Sequence, residues 1–470
     1  MKQIYQDRLW NAVLWILFGV ILVLLFFYSY NEPFDHDEFE HIHTAWKISM
    51  GQEIYVDFFQ HHHPFLDYLL VPVISLFGET TTSIFAGRYL MLLMIGGMLI
   101  VSYFLARWVF KNSEIALIGL ILTSTLGGFI ESSILIRPDV PQTLAGLLSI
   151  YFLFTYYDKK SLWSLIASSI FLAVSFLILQ KSISLMIAFG ILFLYDLYGR
   201  RIHVKEILIF VLAFLIIVSP YYIYLVLHGS FDKYYEMNWI LNMHVRESSG
   251  YSKYEIIKGV LEEDTITCML YVIGVIMLLR SKLNRQFAVL SLCLILILLL
   301  LYHRLWIQYF MLAMPLIGIV AAYALCTIFE SNVYKIIVII FAIYLPLGMM
   351  NDYSFLLHNG RFDNDEQRAQ IEKINYVLSI TDEGDKVYDG DIQFNLFRDD
   401  IDYFWFCVSK NECMYAYQKI APYHYDAYES ISALKPKVIS TFNLSNLDDE
   451  RIKNNYRPSG KYDDLMIRKE

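Results

Sequence analysis

The sequence predicts a polytopic α-helical membrane protein that carries a small extracytoplasmic α/β domain at its C-terminal end. Hydrophobic residues make up 57% of the 470 residues and charged residues only 18%, with a mean hydropathy of +0.46. Most of the chain therefore lacks the polar surface that a water-soluble fold needs. Apolar segments of about 20 residues, the length that crosses a bilayer, recur up to residue 350. Beyond that point, 22 acidic and 15 basic residues give the composition of a soluble domain.

About eleven apolar segments are expected to be transmembrane helices, although two of them, 183–198 and 265–279, are short for a full span. The first segment is predicted to be a retained signal anchor, because Lys2 and Arg8 precede it and no small-residue cleavage pattern follows it. The expected spans cover residues 9–30, 83–110, 113–131, 139–157, 161–180, 183–198, 207–227, 265–279, 286–302, 305–329 and 333–349.

Basic residues set the expected orientation of these spans. With the N-terminus in the cytoplasm, the short loops on the cytoplasmic side hold tight clusters of Lys and Arg, in agreement with the positive-inside rule. The external regions are then residues 31–82, residues 227–264 and the tail. We therefore predict a transmembrane domain over residues 1–350 and an extracytoplasmic domain over residues 351–470. The sequence shows no basic face of the kind that binds nucleic acid, so no nucleic-acid partner is expected. The lipid bilayer is the expected environment of the apolar segments.

The C-terminal segment has its own pattern of secondary structure. Residues 366–378 have the spacing of an amphipathic helix. Short strands are expected at residues 386–388, 437–442 and 465–468. Cys407 and Cys413 flank a polar stretch as the two arms of a hairpin would, so an oxidising compartment would permit a disulfide, with two independent thiols as the alternative.

The first external loop, residues 31–82, has an unusual density of ionisable side chains. It holds nine acids, a single basic residue, Lys47, and six of the twelve histidines of the protein. Unpaired charge near a bilayer is costly, and catalytic groups concentrate on loops that a rigid scaffold supports. The alternative is that the acids solvate an external loop and the histidines cap helices. The histidines are His36, His41, His43, His61, His62 and His63, and the acids are Glu32, Asp35, Asp37, Glu38, Glu40, Glu53, Asp57, Asp67 and Glu79.

The layout of this loop predicts two short helices at the membrane surface. Residues 37–50 have apolar side chains at helical spacing. The acids before and within the first turn suit the N-terminal end of that helix, where carboxylates are favoured. A short extended stretch follows, and Pro64 can begin a second short helix. Asp37 would then lie at the same interfacial level as His62 and His63.

The order of these motifs resembles the polyprenyl-phosphate-dependent glycosyltransferases of the GT-C superfamily. In the protein O-mannosyltransferases of that superfamily, the first external loop carries an F-D-E element and later a D-x-H-P-P-L element. Asp37 and Glu38 match the first element, with His36 in place of the Phe. His63 and Pro64 match the centre of the second element.

The second element departs from the family pattern in two places. Phe65 replaces the second proline, and a wider gap separates Asp57 from His63, so a supporting role for Asp57 stays open. The transferases that add aminoarabinose to lipid A are also similar, with Lys-Pro where this chain has His63 and the proline after it. In the next external turn, Arg137 and Asp139 match the family's Arg-x-Asp element.

The resemblance implies a glycosyltransferase that moves a sugar from a polyprenyl-phosphate donor to a lipid, glycan or protein acceptor outside the membrane, with inversion. It makes Asp37 the general base, because a carboxylate in a partly dehydrated pocket can take the proton of the attacking group. Glu38 would position the acceptor or support Asp37, and Asp35 is the local competitor for the role of base. The alternative is that Asp37 only caps a helix.

The leaving phosphate develops negative charge that cations or a metal ion must stabilise. For two of the candidates, Arg304 and Lys181, snorkelling to the interface is an equally good explanation. Asp139 is expected to support Arg137. The candidates for phosphate and lipid binding are Arg137, His63, His62, Arg304 and Lys181.

A divalent metal ion, held by His62 or His63 with Asp37, is the one candidate cofactor. Residues 227–264 could form a lid over a sugar or lipid head group, although an interfacial aromatic belt explains their Tyr and Trp residues equally well.

Two other functions remain: an oligosaccharide ligase or polymerase that uses a lipid-diphosphate glycan, and a lipid or glycan transporter. The family likeness makes a bacterial plasma membrane the expected location.

Overall fold

The computed structural model describes residues 2–244, 252–281, 284–302, 305–330, 332–343, 364–409 and 412–469. The chain divides into two compact units. The first comprises Met1–Tyr30, Leu90–Pro220 and Gly250–Phe362, and the second comprises Asn31–Tyr89, Tyr221–Ser249 and Asp363–Glu470. The predicted domain boundary at residue 350 lies outside the described residues.

Most of the described chain is helical. From the N-terminus to the second external loop the helices are α1 (Lys2–Asn31), α2 (His36–Ser49), α3 (Phe65–Phe77), α4 (Thr82–Phe110), α5 (Ser113–Ser124), α6 (Gly127–Ser133), α7 (Asp139–Lys159), α8 (Leu162–Ile178), α9 (Ile183–Tyr198) and α10 (Val204–Leu227). Then follow α11 (Phe231–Tyr235), a π-helical turn (Glu236–Leu241), α12 (Asn242–His244), α13 (Lys253–Glu263), α14 (Thr265–Arg280), α15 (Arg285–Leu301), α16 (Met314–Ile328) and α17 (Asn332–Ile343).

Four of the described helices are long and apolar enough to cross a membrane, or up to five if a bent pair counts as one span. The bent pair is α5 and α6, which meet at 72° where a single span was expected over residues 113–131. Five of the six shorter apolar helices coincide with further predicted spans, and the sixth, Phe65–Phe77, lies in the first external loop. The predicted number of eleven spans and their orientation therefore stay predictions. The four long helical segments are Arg8–Asn31, Thr82–Phe110, Gln180–Tyr198 and Val204–Leu227.

Small residues let helices of the first unit approach closely. A Cβ atom added to Gly318 of α16 would lie 2.8 Å from the carbonyl oxygen of Gly119 on α5. Between α7 and α8, Ser149 donates to the carbonyl oxygen of Ser168, and Ser168 donates back to that of Ser149, at 2.7 and 2.8 Å. Close contact of small residues and interhelical hydrogen bonds are the interactions that hold helices together in lipid, where the hydrophobic effect is missing.

The C-terminal part of the second unit is a small α/β fold. Its sheet has the order β1-β2-β4-β3, in which β1 and β2 are parallel and the other pairs are antiparallel. Its core contains Ile431, Ile439 and Ile452, all fully buried. The elements are α18 (Asp365–Ser379), β1 (Val387–Tyr388), α19 (Cys413–Tyr417), α20 (Ala427–Leu434), β2 (Val438–Ser440), α21 (Glu450–Lys453), β3 (Tyr456–Pro458) and β4 (Leu465–Arg468).

Sequence patterns located four of these eight C-terminal elements, and the short helices α19, α20 and α21 were not predicted. The predicted helix over 366–378 is confirmed as α18, and the three predicted strands are present as β1, β2 and β4. Strand β3 was missed because it is a three-residue edge strand that ends in a proline, and proline is typical of an edge rather than of a strand core. Cys407 and Cys413 form a disulfide, which decides between the two alternatives left open by the sequence.

Candidate active site

Helix α2 begins with a capping box that fixes the predicted acidic motif. The carboxylate of Asp35 accepts a hydrogen bond from the backbone N–H of Asp37 at 2.9 Å. The side chain of Glu38 accepts one from the backbone N–H of Asp35 at 3.0 Å. Reciprocal bonds of this kind satisfy backbone donors that the first turn of a helix leaves without partners. Asp35, the predicted competitor for the role of base, is thus the N-cap of the helix.

Asp37 and Glu38 are adjacent, but their carboxylates have different surroundings. The side chain of Asp37 is 31% exposed, and the ring of His36 lies 3.3 Å from its Oδ1 atom. Glu38 is fully buried. Asp37 can therefore meet a ligand from solvent, while Glu38 is enclosed by protein.

Glu38 forms a buried ion pair with Arg88 of α4. The guanidinium donates from Nε to Oε1 at 2.8 Å and from Nη2 to Oε2 at 2.5 Å. The same group donates to the carbonyl oxygens of Glu32 and Pro33 and lies 4.8 Å from the centre of the Phe34 ring. Arg88 thus holds the chain from residue 32 to residue 38 in one conformation.

Sequence reasoning missed the role of Arg88, although one signal was present. Arg88 lies near the N-terminal end of the predicted span over 83–110. A charged side chain inside a span is costly unless it has a partner, so its position called for an acidic neighbour. Nothing in the spacing identified that neighbour as Glu38, which is 50 residues away.

The histidine run is held against α2 by Gln60. Its Oε1 atom accepts hydrogen bonds from the backbone N–H groups of His61 and His62, at 2.7 and 3.1 Å. Its Nε2 atom donates to Thr44 Oγ1 on α2, at 3.2 Å. This arrangement brings the rings of His61 and His62 beside Glu40, whose carboxylate lies 3.9 Å from His61 Nδ1.

His63 has different contacts from its two neighbours. Its Nε2 atom is 2.8 Å from the hydroxyl oxygen of Tyr234, in the external segment that the sequence suggested as a lid. The Tyr234 hydroxyl also contacts that of Tyr222 and accepts a hydrogen bond from Trp239 Nε1. His63 is 1% exposed, and its contact with this hydroxyl helps to orient the imidazole.

Two buried titratable groups lie next to each other on α2. Burial raises the pKa of Glu40 to about 8, with nearby Asp37 and Asp67 acting in the same direction and His41 opposing them. Burial alone would lower the pKa of His41, but Asp67, 2.7 Å from His41 Nδ1, and Glu40 raise that pKa to about 9. These surroundings therefore favour the charged form of the His41 ring and the neutral form of the Glu40 carboxyl group.

Two groups of three side chains in the described residues have donor atoms close enough together to hold a metal ion. One is Asp35, His36 and Asp37, and the other is Glu40, His61 and His62. In each group all donor atoms lie within 4.8 Å of one another. The sequence had suggested His62 or His63 with Asp37, but the structure groups His62 with Glu40 and places His63 beside Tyr234.

The other predicted site residues are distributed as follows. Asp57 accepts a hydrogen bond from the backbone N–H of Glu53 at 2.7 Å and so closes a local turn. In the first unit, Asp139 begins α7 and lies 3.7 Å from Lys181, whose ammonium group is 3.8 Å from the centre of the Tyr309 ring. Arg137 is half-buried in the turn before α7. Arg304 lies outside the described residues.

The far side of α2 is bound to the C-terminal segment. His43 Nε2 and Lys47 Nζ lie 2.9 and 2.8 Å from Asp400 Oδ2, and all three side chains are buried. Asn395 donates to the other carboxylate oxygen of Asp400. Lys47 and His43 lower the pKa of Asp400 to about 2 against the opposing effect of burial. Sequence reasoning missed this cluster because its members are about 350 residues apart.

Comparisons with known proteins identify the class to which this architecture corresponds. Residues 61–224 match the family model for dolichyl-phosphate-mannose-protein mannosyltransferase, while no curated protein sequence matches the chain. The structure is similar to that of ArnT from Cupriavidus metallidurans bound to undecaprenyl phosphate. The TM-score is 0.67 at 13% sequence identity, with 98% of this chain and 97% of that one covered.

A second solved structure has the same architecture. It is the archaeal oligosaccharyltransferase AglB from Archaeoglobus fulgidus, in complex with an inhibitory peptide and a dolichol-phosphate. The TM-score is 0.56 at 12% identity, with 93% of this chain and 69% of that one covered. The resemblance to the GT-C superfamily is therefore confirmed: the chain is an integral membrane protein with the fold of the GT-C glycosyltransferases.

Proposed function

We propose that this protein transfers a sugar from a polyprenyl-phosphate donor to an acceptor outside the membrane, with Asp37 as general base. The observation that carries the proposal is the contrast between two adjacent acids. The Glu38 carboxylate is buried in its ion pair with Arg88, while the Asp37 carboxylate is accessible in the first turn of α2. A base must reach its substrate, and of the two only Asp37 has that access.

The comparisons support the donor class. The matched family model is named for a dolichyl-phosphate-mannose-dependent transferase. The two similar structures hold undecaprenyl phosphate and dolichol-phosphate, which are both polyprenyl phosphates. A polyprenyl-phosphate sugar is therefore the donor that this fold suggests for the chain.

The proposed reaction is a single displacement at the anomeric carbon. The acceptor oxygen attacks that carbon, and the bond between the carbon and the phosphate oxygen breaks. The acceptor proton passes to the Asp37 carboxylate, and the polyprenyl phosphate leaves with the bonding electron pair. Attack opposite the leaving group inverts the anomeric configuration. Arg137, by the family resemblance, is the first candidate to stabilise the phosphate. Arg304 ranks next, because arginine matches phosphate in bidentate geometry, and Lys181 and His63 are further candidates.

The disulfide supports the proposed side of the membrane. Cys407 and Cys413 lie in the same unit as α2. Disulfides persist in oxidising compartments and are rare in the cytosol. A bridge in this unit agrees with a reaction that takes place on the extracytoplasmic side.

The test is the release of polyprenyl phosphate by Asp37→Asn. Purified full-length protein is incubated with a panel of polyprenyl-phosphate monosaccharides and candidate acceptors, and lipids are measured by mass spectrometry. We expect wild type to release polyprenyl phosphate and Asp37→Asn to be slower by about 10²–10⁴-fold, the usual contribution of a general base. Asn is isosteric with Asp, so the variant should insert and fold normally.

Glu383→Gln is the matched control, because it removes an exposed carboxylate of the C-terminal segment. It should retain wild-type release. Equal rates for wild type and Asp37→Asn would disprove the assignment of the base. Turnover with lipid-diphosphate glycans alone would instead favour the ligase or polymerase function.

A further inference from the structure

Glu40, His61 and His62 form a cluster that the proposed transfer reaction does not use. Glu40 faces the two histidines from the first half of α2 and is only 3% exposed. Its Oε1 atom has no hydrogen-bond partner in the part of the chain that the structure describes. A buried carboxyl oxygen without a partner is costly, so this position favours a ligand that binds that oxygen.

The backbone around the cluster holds its members in place. Gln60 links the N–H groups of both histidines to Thr44, one helical turn after Glu40 on α2. Tyr55 donates to the carbonyl oxygen of His62 at 2.6 Å, and Asn242 donates to that of His61 at 2.9 Å. The ring centres of His61 and His62 are 3.9 Å apart. The two imidazoles are therefore presented together.

The donor atoms suit a transition metal ion. Two imidazoles and one carboxylate are a ligand set for Zn²⁺, and three protein ligands leave a fourth position open in a tetrahedral site. Bonds of about 2.0–2.2 Å place ligand atoms of such a site about 3.3 Å apart. Glu40 Oε1 and His61 Nδ1 are already 3.9 Å apart, so small side-chain rotations close the site.

We infer that Glu40, His61 and His62 bind one divalent transition metal ion, with Zn²⁺ as the best fit, through a site separate from the Asp37 carboxylate. His63 is not a ligand in this arrangement, because its ring is directed to Tyr234. The ion would fix the histidine run to α2 through side-chain bonds, in addition to the bonds that Gln60 makes to the backbone. The inference concerns metal binding alone and does not depend on the proposed transferase activity.

The experiment measures metal binding directly in the full-length protein in detergent. Protein is stripped with a chelator and titrated with Zn²⁺, and bound metal is quantified by elemental mass spectrometry. We expect one ion per chain in wild type and affinity weaker by about 100-fold or more in Glu40→Gln, since even outer partners of ligands cost 10–100-fold. Co²⁺ in place of Zn²⁺ should give the intense visible absorption of tetrahedral Co²⁺ in wild type only.

Folding of the variant is measured separately by thermal unfolding. Gln has the size and shape of Glu, so metal-free Glu40→Gln should unfold at nearly the same temperature as metal-free wild type. Added Zn²⁺ should raise the unfolding temperature of wild type alone, because a ligand that binds only the folded state stabilises it. If Glu40→Gln does not yield folded protein, His61→Ala is the second variant, and it should also lose the metal.

His36→Ala is the matched control, since His36 belongs to the other Asp and His group at the start of α2. We expect it to bind Zn²⁺ as wild type does. Loss of the metal in His36→Ala with retention in Glu40→Gln would move the site to the helix start and overturn the inference. Absence of stoichiometric metal in wild type would overturn it as well.

Discussion

Arg88 determines the position of Asp37 although it does not touch the Asp37 carboxylate in any of the contacts described above. Its guanidinium binds Glu38 on one side of Asp37 and the carbonyl oxygens of Glu32 and Pro33 on the other. The fork of donors in arginine matches a carboxylate in bidentate fashion, which a lysine cannot do. Arg88 is therefore a positioning residue for the proposed base.

Removal of Arg88 should be strongly destabilising. In Arg88→Met the buried Glu38 carboxylate loses its counter-charge, and breaking a buried pair in this way costs about 3–5 kcal/mol of the free energy of unfolding. The measurement is thermal unfolding of the full-length protein in detergent. Adding Glu38→Gln to Arg88→Met should recover part of the loss, because the remaining buried group is then neutral.

An exposed ion pair provides the control for Arg88. Lys111 and Asp158 lie 3.7 Å apart with side chains that are 63% and 56% exposed. Lys111→Met should cost less than about 1 kcal/mol, the usual value for surface pairs. A similar small effect in Arg88→Met would show that Glu38 does not need its partner and would remove Arg88 as a positioning residue.

At the scale of elements, α2 has one face toward the histidine run and another bound to the C-terminal segment. His43 and Lys47 both contact Asp400, and Trp405 packs 4.5 Å from the His43 ring. Trp405 also donates to the carbonyl oxygen of Phe59 in the loop that leads to the histidines. The C-terminal segment is thus a structural support for the helix that carries Asp37.

Asp400→Asn should weaken this support in a pH-dependent way. The pKa of Asp400 is lowered from 3.8 to about 2 in the folded protein. The carboxylate therefore stabilises the fold above pH 3.8, and this contribution is lost as the pH falls through about 2. A shift of this size corresponds to about 2 kcal/mol. The measurement is the unfolding temperature between pH 7 and pH 3. Asp400→Asn should unfold at a lower temperature than wild type, and this difference should be largest at pH 7.

Asp399 is the matched control for Asp400, because it is the adjacent residue and its side chain is 42% exposed. Its Oδ1 atom lies 3.9 Å from Lys47 Nζ. Asp399→Asn should lower the unfolding temperature less and leave the pH dependence of wild type intact. An Asp400→Asn variant that unfolds like wild type at pH 7 would show that the cluster does not stabilise the protein.

The elements of this site were predictable from the sequence to different degrees. Helix α2 and its acidic start follow from local spacing, and α18 follows from its amphipathic pattern, because both depend on neighbouring residues. The partners of α2 do not follow in this way. Arg88 and Asp400 reach the helix across 50 and 357 residues, and spacing along a chain carries no information about such contacts.

At the scale of the whole molecule, the second unit combines three separate stretches of chain. Asn31–Tyr89 and Tyr221–Ser249 are grouped with Asp363–Glu470. In the sequence, apolar helices lie between these stretches, and the hydropathy pattern cannot show that the stretches associate. The predicted topology assigns all three to one side of the membrane, because each lies in a region that the basic residues predict to be external. The compact unit requires this common side, since contacts within it could not form across a bilayer.

The orientation of the whole protein can be tested with single cysteines. We expect Asp448→Cys, in the exposed C-terminal segment, to react with a membrane-impermeant maleimide in intact cells. Lys159→Cys, at the exposed end of α7, should react only after the membrane is permeabilised, because its loop belongs to the basic cytoplasmic set. Both variants are made in a background in which Cys268, Cys293 and Cys326 are replaced by serine.

The native pair gives an independent readout in the same cells. Cys407 and Cys413 should react only after treatment with a reductant, because an oxidising compartment keeps them bridged. Labelling of Lys159→Cys but not Asp448→Cys in intact cells would reverse the orientation. The Asp37 carboxylate would then face the cytoplasm, and the proposed extracytoplasmic transfer would have to be abandoned even if the Asp37→Asn variant were inactive.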